Sequence, residues 1–527
     1  MKLKKMAVLF VGLSIPIMSF TGCVNKEKGA QSASNGNDSF TYWCSMPAAI
    51  VSHCETMADV TMYQELEKRT GVKINFIHPT TGQEVEQFNL LIASREFPDF
   101  IEWDWGNYQG GPEKALSDNV IIKLNEYMDT CTPNLSKVLK ENEEYDKQTK
   151  TDNGAYYGFP TIQDEKYNGF AGLLIRQDWL DELGLPMPET LADWETTLKA
   201  FKEKKGAMAP FTGRSSGLFN MFSIQSTFNN AFNVGKGLYI ENDVVKFGPL
   251  ETGYKEWLTM MSKWYEEGLL DADYATNSAS IIDAKMTNGS AGACFGYVGG
   301  TIGKYMNAMA GKDSGYNLVA APFPKKSSNE KISMMNSFYA ITNPFLAITT
   351  GCKNPEAAAK WADYLYSEEG KILKNFGVEG ETYTMVDGEP QYTDKILNDE
   401  KGLDIATTMS MNFRASYPSP GFANLEGYLM QYYQLPQQLE ALETLTITPA
   451  ITTIKSMPLL TPTSEEYERI SIIQTEVGTY IDETIQMFVQ GTKSMDEYNA
   501  FISNLKKMKI DEYIEIYQRT YDRWRNR

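Results

Sequence analysis

The chain has 527 residues, 42% of them hydrophobic and 12% aromatic, with a formal net charge of −19 at pH 7. This is more than one ordinary domain holds and fits two or three, with enough apolar residues for sizeable cores. The acidic balance excludes a nucleic-acid binder of the usual kind, which needs a basic footprint. After the N-terminal segment no apolar run reaches the length of a membrane span, so no transmembrane helix is expected.

The chain opens with Lys2, Lys4 and Lys5, an apolar run from Met6 to Phe20, and Thr21-Gly22-Cys23. A basic start, an apolar run too short to span a bilayer and a small-residue cleavage site mark an export signal. The cysteine after the small pair resembles a bacterial lipoprotein signal, although Phe20 stands where leucine is usual. That resemblance implies cleavage after residue 22 and a lipid on Cys23, anchoring the protein outside the cytoplasm. Removing residues 1–22 takes away three lysines and no acid and leaves −22. Residues 23–39 are small and polar, too poor in apolar surface to offset ordering entropy, and read as a flexible tether. The folded part begins near Phe40.

From there strands and helices alternate. Phe40 to Trp43 reads as a strand, Met57 to Arg69 as a helix stopped by Thr70-Gly71, and Val72 to Ile77 as a strand. Phe88 to Ala93 reads as a helix, and Phe97 to Trp103 as a strand entered after Pro98. The order implies an α/β fold with a mainly parallel sheet. Asp152-Asn153-Gly154 marks a hairpin turn. Thr190 with Asp193 opens a helix bearing Leu191, Trp194, Leu198 and Phe201. Asn354-Pro355-Glu356 opens another, continued by Ala358, Trp361, Ala362 and Leu365 and closed by Gly370. Ser464 is expected to cap a long stripe of Ile470, Ile473, Val477, Ile481, Ile485 and Phe488, ended by Gly491. Ser494-x-x-Glu497 opens the next helix. These stripes read as core.

Besides Cys23 there are five cysteines, Cys44, Cys54, Cys131, Cys294 and Cys352, which allow at most two disulfides. A Cys44–Cys54 bridge is open on sequence alone. No CxxC spacing suggests a zinc or redox site. The two histidines, His53 and His78, form no HExxH, and no GxSxG or phosphate-binding loop occurs. Neither a metal, a cofactor nor a catalytic constellation is expected; the 68 acids offer carboxylate pairs only by abundance.

Aromatic residues in Gly-rich, loop-like settings stand out. Trp103-Asp104-Trp105-Gly106-Asn107-Tyr108 follows a predicted strand, Tyr297 lies in Gly296-Tyr297-Val298-Gly299-Gly300, and Arg414, Tyr417 and Phe422 form a third cluster. Ligands of open α/β sheets sit beyond the carboxyl ends of strands. Rings there can stack on the C–H faces of sugars while Asp, Asn and Arg bond hydroxyls.

One long segment resembles a known family. Leu174-Ile175-Arg176-Gln177-Asp178-Trp179-Leu180-Asp181-Glu182-Leu183-Gly184-Leu185-Pro186, continuing to Lys202, is similar to a hallmark of the extracellular solute-binding lipoproteins of ABC importers, family 1 or LipO type. Phe97-Pro98-Asp99, Tyr157-Gly158-Phe159-Pro160, Glu266-Glu267-Gly268-Leu269-Leu270-Asp271 and Glu379-Gly380-Glu381-Thr382-Tyr383 match in order along nearly the whole folded chain. The resemblance implies two α/β lobes, 40–162 with 323–380 and 163–322 with 381–527, closing on a sugar-type ligand. It implies a monomer that serves ABC permease subunits, and a receptor, not an enzyme. By placement, Trp103, Asp104, Trp105 and Tyr108 would line one lobe's wall, and Tyr297, Arg414, Tyr417 and Phe422 the other's. Arg176 to Trp179 is expected to be structural. The stretch Glu203 to Pro210 lacks the acids and asparagines of the calcium loop of alginate-binding relatives. A neutral oligosaccharide is expected over a uronate, since clustered Arg or Lys is absent from the candidate loops and Arg414 is the exception. Alternatives are the same fold with a peptide or other polar solute, and a surface-anchored carbohydrate-active enzyme.

Overall fold

The structure is a computed structural model and describes residues 39–163, 169–214, 228–332, 335–336, 340–415, 418–446 and 454–527. Cys23, the rest of the tether up to residue 38 and Tyr417 lie outside the described residues, while Ser39, expected in the tether, starts the first strand.

The βαβα start forms. Ser39–Trp43, Lys73–Ile77 and Phe100–Trp103 are strands joined through the helices Thr61–Thr70 and Glu84–Ser94. Gly71 ends the first helix in the left-handed region, φ 71°, where a side chain would be strained. A six-stranded sheet runs in the order 421–423, 159–163, 341–348, 100–103, 39–43, 73–77. Strand 341–348 is antiparallel to both 100–103 and 159–163. The pairs 39–43/73–77, 39–43/100–103 and 421–423/159–163 are parallel. The carboxyl ends of strands 39–43, 100–103, 159–163 and 421–423 therefore share one edge, the edge where such sheets bind ligands.

One face of this sheet packs under the Pro355–Asp363 helix, whose first turn is capped by Asn354 accepting from the Ala357 amide. The Trp361 ring lies 5.2 Å from Phe100 and 6.1 Å from Tyr42. Burying each such ring contributes about 1.5–3 kcal/mol. Gly370 does not close this helix. It sits inside the next one, Glu368–Phe376, where a Cβ would stand 2.0 Å from the Tyr364 carbonyl oxygen. Close backbone approach, not helix termination, demands glycine there.

The second lobe has two four-stranded sheets, one in the order 318–320, 171–176, 293–297, 211–212 and one in the order 335–336, 454–455, 238–241, 244–247. Its core gathers Trp194, Trp257 and Trp264 with Ile473, Val477, Ile481 and Phe488 of the Ser464–Val489 helix. That helix carries the expected apolar stripe, but its cap is Thr463, in a reciprocal box with Glu466, and not Ser464. Arg176 is buried, forks onto the Asp178 carboxylate, and stacks over Tyr316 at 4.1 Å and Trp179 at 4.8 Å. The hallmark segment thus serves the lobe's interior.

The lobe boundaries differ from those expected in two places. The chain returns to the first sheet near residue 340 and not at 323, because Lys325 bonds Glu189 through the backbone and Lys326 pairs with Glu256 at 2.7 Å, both in the second lobe. The passage at 380 is also corrected. Tyr383, Tyr392, Met409 and Phe413 are buried in the first lobe's core, and Gly421–Ala423 pairs with Phe159–Gln163. Gly380 only permits a turn at φ 79°. A further tie joins the lobes: the Asp152 carboxylate of the hairpin accepts from Arg523 at 2.5 Å and from Arg527, and Arg527 also donates to the Lys147 carbonyl at 2.7 Å. Among the described residues no helix is long and apolar enough to cross a membrane. Cys44, Cys54, Cys131, Cys294 and Cys352 are free thiols.

Candidate functional site

At the shared strand edge the two lobes enclose a cavity of about 380 Å³. Gln163, Ala415, Pro418 and Ala423 reach it from the first lobe, and Phe170, Tyr297, Gly299 and Gly300 from the second. Tyr297 ends strand 293–297 directly opposite Ala171, which sets it at the mouth of the second sheet, 49% exposed. Tyr428, Tyr432 and Tyr433 complete the lining. Tyr428 and Tyr432 are one turn apart on the Leu425–Tyr432 helix, with ring centroids 6.4 Å apart, and they touch the cores of both lobes. A Cβ on residue 299 would meet the Tyr432 ring at 2.8 Å, so Gly299 is what lets this ring lie against the backbone. Burial raises the pKa of Tyr432 and Tyr433, first, with nearby acidic or phenolic groups adding to it. Both are neutral hydroxyl donors at ordinary pH.

An adjoining cavity of about 220 Å³ shares Tyr297 and Gly300 and adds Arg214, Asp283, Thr301 and Lys304. Lys304 pairs with Asp283, which also accepts from Tyr305 at 2.8 Å. Together these compartments offer half-buried rings flanked by neutral hydroxyls, one amide and few charges. Such a surface holds the flat apolar face of a ring that carries hydroxyls at its rim.

A larger cavity, about 1260 Å³, lies between the loop after Trp103 and the Ser464–Val489 helix. Asp104 lines it, its Oδ1 accepting from the Asn343 amide at 2.7 Å and the Gly106 amide at 3.0 Å. Burial raises the Asp104 pKa, against the Gly106 bond. Tyr108 lines it too, its hydroxyl donating to Asp118 at 2.9 Å. Asp104 and Tyr108 are thus engaged within their own lobe, and for all its size this cavity offers fewer open rings.

Several site residues expected from sequence stand elsewhere. Trp105 is completely buried, its Nε1–H donating to the Phe345 carbonyl at 3.3 Å, so it is core and not a platform. Trp103 stacks on Phe88 at 4.5 Å and meets Trp43 edge-on at 5.5 Å, which occupies its faces within the first lobe. Arg414 is 1% exposed and bonds Glu102 at 3.0 Å and Tyr63 at 2.9 Å. It is enclosed in the first lobe and lines neither aromatic compartment. Burial disfavours its charge, but the Glu102 carboxylate together with Tyr63, Tyr42 and Cys44 around it more than offsets that and holds its pKa above the usual range. Phe422 packs on Tyr366 at 6.1 Å under Lys371, on the far side of its short strand from Ala423. Among the described residues of the expected set, Tyr297 alone lines the aromatic cavity. Phe170, Tyr428, Tyr432 and Tyr433 were missed. The sequence signal for three of them was Tyr428-x-x-x-Tyr432-Tyr433, two rings one turn apart on a helix and a third at its end.

A model of the bacterial extracellular solute-binding proteins matches residues 58–372 of this two-lobed chain. The chain belongs to that family. Among curated members it is 26% identical, over 88% of this chain and 86% of the relative, to the fructooligosaccharide ABC transporter substrate-binding protein FusA of Streptococcus pneumoniae serotype 4. To the lipoprotein LipO of Bacillus subtilis it is 27% identical over 73% of this chain and 75% of that one. The solved structure of S. pneumoniae FusA in complex with kestose superposes with a TM-score of 0.74 at 22% identity, covering 93% of this chain and all of that one. A solute-binding protein of this family is two-lobed and α/β, as expected from the sequence. Its members bind solutes, and no catalytic arrangement is required of the residues in the cleft.

Proposed function

We propose that this chain is the substrate-binding lipoprotein of an ABC importer and that it captures an oligosaccharide between its lobes. The observation that carries this reading is the aromatic cavity, in which Tyr297 of one lobe and Pro418 and Ala423 of the other line the same space as Tyr428 and Tyr432. A ligand that touches both walls stabilises the closed arrangement over the open one, and closure then shifts with ligand concentration. FusA, whose name describes a fructooligosaccharide binder, supports the same class of ligand. The loaded, closed protein would be the form that permease subunits recognise. A neutral glycan suits the hydroxyl-rich lining. With Arg414 enclosed, Arg214 is the guanidinium lining these cavities among the described residues, and it is the residue to test for a uronate.

Titration calorimetry against neutral, uronic and peptide ligands of matched length tests the reading. Tyr297→Ala and Tyr432→Ala should each cost about 1–2 kcal/mol of binding, roughly 5- to 30-fold in Kd, with the fold intact. Normal glycan affinity in both variants would refute the site. Tighter binding of a uronate, lost in Arg214→Gln, would replace the neutral ligand by an acidic one. Turnover of a bound glycan would replace the receptor by an enzyme.

Anchoring rests on the sequence around Cys23. Cys23→Ala should release the protein from the membrane fraction while leaving its unfolding unchanged. Mass spectrometry of the parent should find two acyl chains or more on that residue, since one alone anchors weakly. An unmodified Cys23 would leave the protein exported but unanchored.

A further inference from the structure

The Glu368–Phe376 helix carries two buried polar side chains, Lys374 and Asn375, that the cavity itself does not include. Lys374 has no exposed surface, and its ammonium donates to three backbone carbonyls, those of Ser419 at 2.5 Å, Pro420 at 3.1 Å and Gly421 at 3.1 Å. Asn375 donates to the Phe422 carbonyl at 2.8 Å, and its side-chain oxygen accepts from the Asn424 amide at 2.8 Å. Arg414, whose own amide bonds the Lys374 carbonyl, donates to the Pro418 carbonyl at 3.0 Å. The Thr161 hydroxyl adds a second bond to Ser419 at 2.7 Å. The carbonyls of residues 418 to 422 are thus all drawn inward to buried donors of the first lobe. The other side of the same segment presents Pro418 and Ala423 to the aromatic cavity.

Stability alone does not explain Lys374. Glu102 is near enough to favour the Lys374 charge but forms no ion pair with it among the described residues, so the buried ammonium is still unfavourable, and an apolar side chain of similar length is often tolerated better. Burial lowers its pKa well below the usual range, with the Arg414 charge adding to the effect. What the ammonium supplies, and an apolar chain would not, is three donors aimed at one turn of backbone. A segment so held needs no ordering when a ligand arrives, and rigid preorganisation of one wall raises affinity by that saved entropy.

We infer that Lys374, with Asn375 and Arg414 beside it, is a positioning residue for ligand binding that locks residues 418–423 as a preformed wall of the cleft. The inference rests on the oligosaccharide reading above. Its test uses the full exported chain and two variants, Lys374→Met and Asn375→Asp, with Leu139→Ala in the first lobe's core as a destabilised control away from the cavity. Hydrogen exchange is followed at Ser419, Gly421, Phe422 and Ala423 without ligand, and affinity is measured for the glycan that the parent binds. Exchange should quicken at those amides in both variants and not in the control, with affinity about tenfold weaker from the lost preorganisation. Parental affinity in a folded Lys374→Met protein overturns the inference. So does a loss of affinity matched by Leu139→Ala at equal stability, which would mark a merely structural lysine. Should Lys374→Met not fold, Asn375→Asp with parental exchange and affinity overturns it alone. If the parent binds no glycan on the panel, the oligosaccharide reading fails instead; unchanged exchange at the four amides would then sink the locking claim separately.

Discussion

Arg414→Leu is expected to lower the stability of the protein by about 3–5 kcal/mol, because it leaves a carboxylate buried without its cation. Glu102 sits in strand 100–103 with its side chain 4% exposed, and Arg414 bonds both of its oxygens, at 3.0 and 3.4 Å. The Tyr42 hydroxyl also donates to Glu102, and the Tyr63 hydroxyl accepts from Arg414. Once the guanidinium is gone, one tyrosine donor must serve a desolvated charge, which is far less than it needs. The double variant Glu102→Leu with Arg414→Leu should recover part of the loss, since replacing a whole buried pair by apolar side chains is often close to neutral. The urea midpoints of the two singles and the double make the thermodynamic cycle. A single variant within about 1 kcal/mol of the parent would mean that the pair is hydrated like a surface bridge and not enclosed.

Trp105→Ala should be comparably damaging, by about 3–5 kcal/mol, and for a reason of volume. The indole is fully buried between Phe88, at 5.9 Å, and Tyr108, at 6.4 Å. It is also bonded to the backbone of Phe345, which belongs to the strand at the centre of the first sheet. Alanine leaves a cavity beside that strand and an unpaired carbonyl. Trp105→Phe should retain most of the packing and lose the hydrogen bond. Thermal unfolding distinguishes this from a ligand contact: the alanine variant should melt earlier while its folded fraction binds glycan as the parent does. Parental melting with weakened binding would return Trp105 to the site.

These two residues also show where sequence reading stops. What was legible is what local bonds decide. Thr190 and Asp193, Asn354 with Pro355, and Ser494 with Glu497 form their caps with neighbours three residues away. The Ile470–Phe488 stripe names its own buried face by period. The βαβα start is legible because its strands are short runs rich in aromatic and β-branched residues, one of them alternating, and Gly71 punctuates them. Arg414 meets Glu102 across 312 positions of sequence, and nothing near either residue announces the other. The loop after Trp103 was rich in aromatics, yet richness does not tell whether a ring turns inward. Phe88 on the preceding helix settles that by stacking on Trp103. The aromatic cavity escaped for a related reason. Phe170 and Tyr297 come from neighbouring strand ends of the second lobe's sheet and Tyr432 from a helix more than 130 residues later, and only the crossing of the chain between lobes collects them with Pro418 and Ala423.

The composition of that cavity has an optical consequence. All nine tryptophans of the chain fall within the described residues, and none of them lines the aromatic cavity or its neighbour, whose rings are tyrosine and phenylalanine. A bound sugar would therefore leave every indole out of direct contact. Any change in tryptophan emission on titration would report the lobes moving relative to one another, while near-ultraviolet difference absorbance of tyrosine would report occupancy itself. The protein thus carries two separate intrinsic signals, one for filling the cleft and one for closing it, and recording both in one titration would give the order in which the two events occur.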